Sequence, residues 1–133
     1  MTLRSQIIGC GSFLPDKVVS NDELSRRVNT SDAWIRERSG IEARHIAAEG
    51  ELTSHLGITA GRAALDDAGI EAGEVDLIVL ATSTPDETFP STASQIQAGL
   101  GATGAAAFDV HAVCTGFIYA LAVADNFIRC GQA

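Results

Sequence analysis

The sequence has 133 residues, 46% of them hydrophobic, and a formal net charge of −8. A chain of this length and composition can bury the core of one domain, which excludes the disordered class. Its acidic balance argues against a nucleic-acid or membrane-surface partner, because phosphates are bound by basic faces. Its three cysteines are widely spaced without a CxxC pair and its three histidines are dispersed, so we expect neither a disulfide framework nor a metal site.

The sequence carries no sign of a membrane segment. No apolar run reaches the ~18–20 residues that span a bilayer. The first residues, MTLRSQIIGCGSFLP, contain only a short apolar stretch and lack the layout of a signal peptide. From the sequence we therefore expect a cytoplasmic protein.

The first third of the chain predicts one strand followed by short helices. Residues 5–9, SQIIG, have the composition of a short buried strand that ends at glycines. Ser20 begins a run of N-cap candidates for a helix to about Val28. Ser31 lies in a second capping run, TSD, before a short helix that Gly40 should end.

The rest of the chain alternates longer helices with strands. Strands are predicted at 75–80, where the nearly continuous apolar run is typical of a strand buried on both faces, and at 105–110. Helices are predicted from Thr53 to about Ala68, from Ser91 to Gly101 and from Thr115 to Arg129. This alternation indicates crossover connections and a mostly parallel sheet. The predicted fold class is therefore α/β, with a helical insertion at about 20–50. The last helix should lead into a further strand, so we expect these residues to be the front part of a larger domain.

Cys114, within HAVCTG, is the strongest candidate for a catalytic residue. It lies between a predicted strand and a predicted helix, where unpaired backbone N–H groups and the helix dipole favour a thiolate. The same amides can stabilise an oxyanion on a thioester carbonyl. The residues alone leave open a packing role, because free cysteine is among the most buried residue types. His111 invites a Cys–His dyad, but we expect the turn to direct it elsewhere.

Trp34 is the only tryptophan, and Arg36 and Arg38 lie within one turn of it. An indole beside a guanidinium can sandwich a planar base while the second arginine meets phosphates. The alternative is a tryptophan that packs its helix on the core. Residues 26–44 hold five of the nine basic residues, which is suited either to an anionic ligand or to a solvated face.

Four blocks of the sequence, in one register, resemble the 3-oxoacyl-[acyl-carrier-protein] synthase III family of the thiolase superfamily. The blocks are IIGCGSFLPDKVVSN, TSDAWIRERSGIEARHIA, VDLIVLATSTPDETFPSTASQIQ and AFDVHAVCTGFIYALAVAD. The resemblance covers the whole chain. It implies a thiolase-like fold in which residues 1–133 are the N-terminal half-domain and the C-terminal half is absent.

The resemblance also implies a function, that of the initiating condensing enzyme of type II fatty acid synthesis. Cys114 would take the acyl group from an acyl-CoA, and the acyl-enzyme would condense with malonyl-acyl carrier protein and release CO₂. Trp34 and Arg38 match positions that stack on the CoA adenine, and Thr30 lies beside them. Phe89 matches a phenylalanine that crosses the interface of a homodimer and shapes the partner's acyl pocket. The CoA thioester is a substrate, and no cofactor is implied.

The resemblance leaves alternatives open. The family's catalytic histidine and asparagine come from the second half of its chain, so we expect these 133 residues alone to be inactive in condensation. Related thiolase-fold acyltransferases make hydroxymethylglutaryl-CoA, alkylquinolones or polyketide starters with the same cysteine. A third alternative is a non-catalytic half that binds CoA or mediates dimerisation.

Overall fold

The computed structural model describes residues 3–133, which form two compact units. The small unit is Leu14–Glu51. The main unit consists of the chain up to Phe13 together with Leu52–Ala133. Each of the two units is built from short local elements and has its own buried residues.

The small unit contains two short helices bracketed by two short strands. Its elements are β1 (Lys17–Ser20), α1 (Asn21–Ser25), α2 (Asp32–Ser39) and β2 (Ala43–Ile46). The strands pair antiparallel, with Lys17 opposite Ile46. The predicted helical insertion at about 20–50 contains both helices of this unit, together with strand β2, which the sequence did not indicate. Its strands escaped prediction because each has four residues and only Val19 among them is buried, so no alternating pattern of burial marks them.

The predicted helix caps of the small unit are confirmed. The Ser20 hydroxyl accepts a hydrogen bond from the Glu23 amide at 3.2 Å, and the Ser31 hydroxyl accepts one from the Trp34 amide at 3.2 Å. Gly40 ends α2 with a φ of 70°, a conformation that glycine adopts without strain. Helix α1 ends at Ser25, one turn earlier than predicted.

Asn21 is the polar centre of the small unit and is only 1% exposed. Its side-chain NH₂ donates to Oδ1 of Asp32 at 2.9 Å and to the carbonyl of Ile41 at 2.7 Å. Its side-chain oxygen accepts from Arg44 at 2.7 Å. One buried amide therefore joins α1 to α2, to β2 and to the segment between them, with three of its four hydrogen-bonding positions used.

The main unit alternates helices and strands as predicted. Its elements are α3 (Thr53–Ala68), β3 (Leu77–Ala81), α4 (Thr92–Leu100), β4 (Ala106–Val110) and α5 (Gly116–Arg129). Strands β3 and β4 pair in parallel, with Leu77 opposite Ala106. The prediction of an α/β fold with a parallel sheet is thus confirmed. None of the helices in residues 3–133 is long and apolar enough to cross a membrane.

Helices α3 and α4 pack closely because glycines let their backbones approach. A Cβ on Gly57 would overlap the side chain of Ile96, and a Cβ on Gly99 would overlap that of Ile58. The close contact buries Ile96, which is 4% exposed. Dispersion contacts and apolar burial between these two helices form the core of the main unit.

Two predictions about buried strands were wrong. Residues 5–9 form no strand, and Ile7 and Ile8 are 74% and 59% exposed, because no other strand of the described chain pairs with them. This N-terminal segment packs along α3 instead, where a Cβ on Gly11 would overlap its backbone. Strand β3 is half-buried rather than buried on both faces, since the sheet has two strands within residues 3–133.

Candidate functional site

Cys114 lies in the connection between β4 and α5. Val113–Thr115 form a single 3-10 turn, in which the Thr115 amide donates to the carbonyl of Ala112 at 3.1 Å and the Thr115 hydroxyl donates to the same carbonyl at 2.8 Å. The Cys114 thiol is free and exposed. The alternative that Cys114 is a buried packing residue is therefore contradicted.

Val113 gives the turn an unusual backbone. Its φ is 46°, and it is the only non-glycine residue with a positive φ among residues 3–133. For a β-branched residue this conformation is a true outlier that costs about 1–3 kcal/mol. The turn persists because its neighbours are constrained: Gly116 is buried, and a Cβ on it would lie 3.2 Å from the Cβ of Ala81 on β3. The strained turn holds Cys114 at the surface, next to the sheet.

Cys114 borders a cavity of about 510 Å³ between β3 and α5. The lining residues are Leu77, Val79, Ala81, Val113, Cys114, Phe117, Ala120, Leu121 and Ala124. All of these side chains except the thiol are aliphatic or aromatic. A cavity of this size with one polar group is typical of a small-molecule site, and its chemistry suits an apolar chain attached to sulfur.

His111 does not pair with Cys114. The His111 side chain is exposed, and within residues 3–133 it makes no hydrogen bond to the thiol. A Cys–His dyad is therefore absent from the described part of the chain.

Trp34 and Arg38 stack directly on each other in helix α2. The Arg38 guanidinium lies 4.5 Å from the centre of the indole ring, and Trp34 is 53% exposed. An exposed cation–π contact of this kind contributes about 0.5–1 kcal/mol. The two groups are thus in direct contact, and the indole remains half-exposed.

Arg36 is occupied by carboxylates rather than free for phosphates. Its Nε donates to Asp32 at 2.8 Å, and its NH1 contacts Oε1 of Glu42. The hydrogen bond from Arg36, assisted by the one from Asn21, holds the pKa of Asp32 below its ordinary value of 3.8. The same bond to Asp32 raises the pKa of Arg36. The expectation that this second arginine meets phosphates is therefore not supported.

Thr30 carries an unused hydrogen-bonding group next to Trp34. A cavity of about 430 Å³ is lined by Asn29, Thr30, Ser31 and Trp34. The Thr30 hydroxyl oxygen is buried and has no hydrogen-bond partner among residues 3–133. An unpaired buried hydroxyl costs about 1–3 kcal/mol, so such a group calls for an explanation. Of the three residues that the sequence analysis grouped, Thr30 and Trp34 thus line one cavity, and Arg38 stacks on Trp34.

Phe89 lies on the loop between β3 and α4 and is 87% exposed. It is not among the residues that line the cavity at Cys114. The main unit therefore does not bring Phe89 and Cys114 into one pocket of the same chain. Among residues 3–133 there is also no group of three or more histidine, cysteine and acidic side chains that could hold a metal ion.

Sequence reasoning missed two features near these residues. One is the strain at Val113, for which the sequence contains no signal, because valine does not ordinarily mark a positive φ. The other is a set of hydrogen bonds that the carboxylates of Asp86 and Asp109 accept from backbone amides at the starts of α3 and α4. The sequence contained only one indication of these hydrogen bonds, namely that Asp86 and Asp109 each lie within one of the four motif blocks.

Comparisons with known proteins agree with this architecture. Residues 108–133 match the family profile described as 3-Oxoacyl-[acyl-carrier-protein (ACP)] synthase III. A Rhodospirillum centenum protein named beta-ketoacyl-[acyl-carrier-protein] synthase III is 65% identical over 100% of this chain and 41% of its own length. One of the same name from Bradyrhizobium diazoefficiens is 62% identical over 97% of this chain and 40% of its own length. The chain spans about two-fifths of the length of these curated relatives.

Solved structures share the fold. The 3-oxoacyl-[acyl-carrier-protein] synthase III of Aquifex aeolicus superposes with a TM-score of 0.91 at 49% identity, over 96% of this chain and 41% of that one. The priming beta-ketosynthase of the R1128 polyketide pathway superposes with a TM-score of 0.91 at 35% identity, over 100% of this chain and 40% of that one. These matches define the class of protein: an α/β chain with part of the thiolase-like fold.

Within that class the chain is similar in sequence and in fold to proteins named 3-oxoacyl-[acyl-carrier-protein] synthase III, of which it spans about two-fifths. The resemblance that we drew from four motif blocks is thereby confirmed.

Proposed function

We propose that this chain carries the acyl-accepting half of a β-ketoacyl-acyl carrier protein synthase III. The overall reaction joins an acyl-CoA and malonyl-acyl carrier protein to give 3-oxoacyl-acyl carrier protein, CO₂ and free CoA. The observation that carries the proposal is the exposed Cys114 on a strained turn beside an apolar cavity. Identity of 65% to a relative of that name supports it.

In the first step Cys114 acts as a nucleophile. Its sulfur attacks the thioester carbonyl of the acyl-CoA, a bond from Cys114 to the acyl carbon forms, and the bond from that carbon to the CoA sulfur breaks. CoA leaves as a thiol with the proton that Cys114 gives up. Backbone N–H groups at the start of α5 are suited to stabilise the oxyanion of the tetrahedral intermediate. The apolar cavity between β3 and α5 accommodates the acyl chain.

The small unit supplies contacts for the nucleotide end of CoA. The adenine would stack on the face of Trp34 that Arg38 leaves uncovered, while the Arg38 guanidinium holds the indole from the opposite face. Thr30 offers the hydroxyl that has no partner in the described chain. The CoA thioester is a substrate in this reaction, and no resident cofactor takes part in it.

The second step needs groups that these 133 residues do not supply. We propose that the residues that activate malonyl-acyl carrier protein lie in a C-terminal half, because the matched relatives are more than twice as long as this chain. The net charge of −8 does not favour docking of an acidic carrier protein, so we assign that docking to the same C-terminal half. In a homodimer, Phe89 would extend to the acyl pocket of the partner subunit.

A second candidate is a priming ketosynthase of polyketide synthesis. The structural match to the R1128 priming enzyme, with a TM-score of 0.91, favours it. That enzyme is 35% identical to this chain, whereas the Rhodospirillum centenum relative is 65% identical. Identity therefore favours fatty acid synthesis, and the carrier protein accepted in the second step would distinguish the two functions.

The proposal is tested by acylation of the thiol. We expect incubation with acetyl-CoA to add one acetyl group to Cys114, detected by intact mass and peptide mapping. Cys114→Ala should abolish the addition, and Cys10→Ala, which removes another exposed thiol, should not. Equal labelling of wild type and the Cys114→Ala variant would exclude Cys114 as the acyl acceptor. We expect no 3-oxoacyl product from these 133 residues with malonyl-acyl carrier protein.

A further inference from the structure

The loop that carries Phe89 is held by hydrogen bonds to α3 and to α4. It runs from Thr82 to Ser91, between β3 and α4, and contains no helix or strand. At its start, the Thr53 hydroxyl of α3 donates to the carbonyl of Thr84 at 2.6 Å. A loop of irregular backbone with an exposed aromatic side chain needs such ties, because ordering each residue costs about 1–2 kcal/mol of conformational entropy.

Asp109 of β4 fixes the first turn of α4. Its carboxylate accepts hydrogen bonds from the Thr92 amide at 3.0 Å and from the Ala93 amide at 2.8 Å. Thr92 and Ala93 are both 0% exposed. Hydrogen bonds from backbone amides to a carboxylate are stronger than neutral ones and are favoured by the helix dipole. The start of α4 is therefore attached to the sheet, next to the strand end that leads to Cys114.

Thr92 also connects the start of α4 to the Phe89 loop. Its hydroxyl oxygen accepts a hydrogen bond from the Asp86 amide at 2.9 Å. The Asp86 carboxylate in turn accepts from the Ser54 amide, at 3.1 and 3.3 Å, at the start of α3. Asp86 is thus held by its backbone to α4 and by its side chain to α3. Phe89 lies in the short stretch between the two residues that make this bond, Asp86 and Thr92.

We propose that Thr92 is a positioning residue for Phe89. Its hydroxyl, held to the sheet by Asp109 through the Thr92 backbone, fixes the Asp86 amide and so gives the stretch that carries Phe89 one shape. In the homodimer of the proposed function Phe89 would reach the acyl pocket of the partner subunit, so Thr92 would act on the choice of acyl chain through Phe89, without itself lining the cavity at Cys114. The effect on acyl choice rests on the proposed function, whereas the effect on the loop does not.

The test compares Thr92→Val, which removes the hydroxyl at similar volume, with Thr92→Ser, which keeps it. Thr59→Val is the matched control, because it removes a threonine hydroxyl that bonds within α3, to the carbonyl of His55. The first measurement is hydrogen–deuterium exchange of peptides that cover 83–91. The second is the ratio of Cys114 acylation rates with acetyl-CoA and with hexanoyl-CoA. If Thr92→Val does not fold, Thr92→Ala gives the same comparison.

We expect hydrogen–deuterium exchange in 83–91 to accelerate about tenfold in Thr92→Val, because the free energy of one lost buried hydrogen bond corresponds to about a factor of ten. We expect the ratio of acylation rates to change about fivefold in the same variant. Thr92→Ser and Thr59→Val should match wild type in both measurements. In a Phe89→Ala background, Thr92→Val should leave the ratio unchanged, because Thr92 acts through Phe89.

Three results would overturn the proposal. Unchanged exchange in Thr92→Val would show that the hydroxyl does not hold the loop. An equal loss of rate with both acyl-CoA substrates would show a merely structural role, and an unchanged effect in the Phe89→Ala background would show that Thr92 does not act through Phe89. If wild type accepts neither acyl group, the proposed function fails, and the effect on acyl choice fails with it. The hydrogen–deuterium exchange of residues 83–91 then still shows whether Thr92 holds the loop.

Discussion

The guanidinium of Arg38 lies 4.5 Å from the centre of the Trp34 ring and covers one face of the indole. Arg38 also lies 3.6 Å from the carboxylate of Glu37, but both side chains of this pair are exposed, so the pair contributes little. Arg38 therefore stays free to stack on Trp34 and to hold the indole in place for a planar ligand on its other face. This arrangement makes helix α2 the most direct place to test for nucleotide binding.

Replacement of Arg38 should weaken binding of CoA. We expect Arg38→Ala to raise the Kd about two- to fivefold, because one exposed cation–π or charge contact is worth about 0.5–1 kcal/mol. Quenching of the single tryptophan on addition of CoA measures the Kd. Arg27→Ala, at another exposed arginine of the small unit, is the control. Equal affinities of Arg38→Ala and wild type would contradict the proposed adenine site.

Removal of the side chain of Val113 should relieve strain. We expect Val113→Gly to leave the free energy of unfolding unchanged or to raise it by about 1 kcal/mol, because glycine accepts a φ of 46° and the lost side chain is 70% exposed. Val18→Gly, at a valine that is 55% exposed and has no positive φ, should lower it by about 0.5–1 kcal/mol. Urea titrations of both variants measure the difference. Similar losses in the two variants would show that Val113 is not strained.

Asn21 should be among the most sensitive positions of the small unit. We expect Asn21→Ala to cost about 2–4 kcal/mol, because it leaves Asp32, Arg44 and the carbonyl of Ile41 without a buried partner. Unfolding followed by Trp34 fluorescence reports on this unit, which holds the only tryptophan. Asn29→Ala, at an exposed asparagine, should stay within about 0.5 kcal/mol of wild type. If Asn21→Ala lowered the free energy of unfolding by less than about 0.5 kcal/mol, its hydrogen bonds would contribute no stability.

The ion pair of Asp32 should make the small unit sensitive to acid. The pKa of Asp32 is lowered in the folded protein by its hydrogen bond to Arg36 and then by the one to Asn21. A lowered folded-state pKa stabilises the fold above the ordinary value of 3.8, and the stability is lost as pH falls through the folded-state pKa. We therefore expect the stability difference between wild type and Asp32→Asn to be largest near neutral pH and to shrink below about pH 4.

Fluorescence-detected unfolding of Trp34 at several pH values measures this difference. Asp16→Asn, at an aspartate that makes no hydrogen bond among residues 3–133, serves as the control and should show no such trend. A difference between wild type and Asp32→Asn that stays constant from pH 7 to pH 3 would contradict the assigned role of Arg36.

The helix ends were readable from the sequence because a cap is a local interaction. Ser20 and Ser31 each bond an amide three residues further on, and Gly40 and Gly101 adopt positive φ at the ends of α2 and α4. The order of these elements, with helices alternating with strands, was enough to predict the α/β fold. The motif around Cys114 likewise pointed to the strand–helix turn where the thiol lies.

Only the tertiary structure decided which distant groups satisfy one another. Arg36 and Arg38 look alike in the sequence, yet Asp32 and Glu42 bind the first, while the second stacks on Trp34. The sequence likewise did not indicate that the N-terminal apolar segment is exposed. Nor did it indicate the hydrogen bonds through which Thr92 and Asp109 hold the Phe89 loop. Each of these features depends on partners from other elements, and their positions are set by packing of the whole unit. Local caps and composition therefore indicated most of the elements and the position of the candidate thiol, and tertiary contacts determined how the residues around it are held.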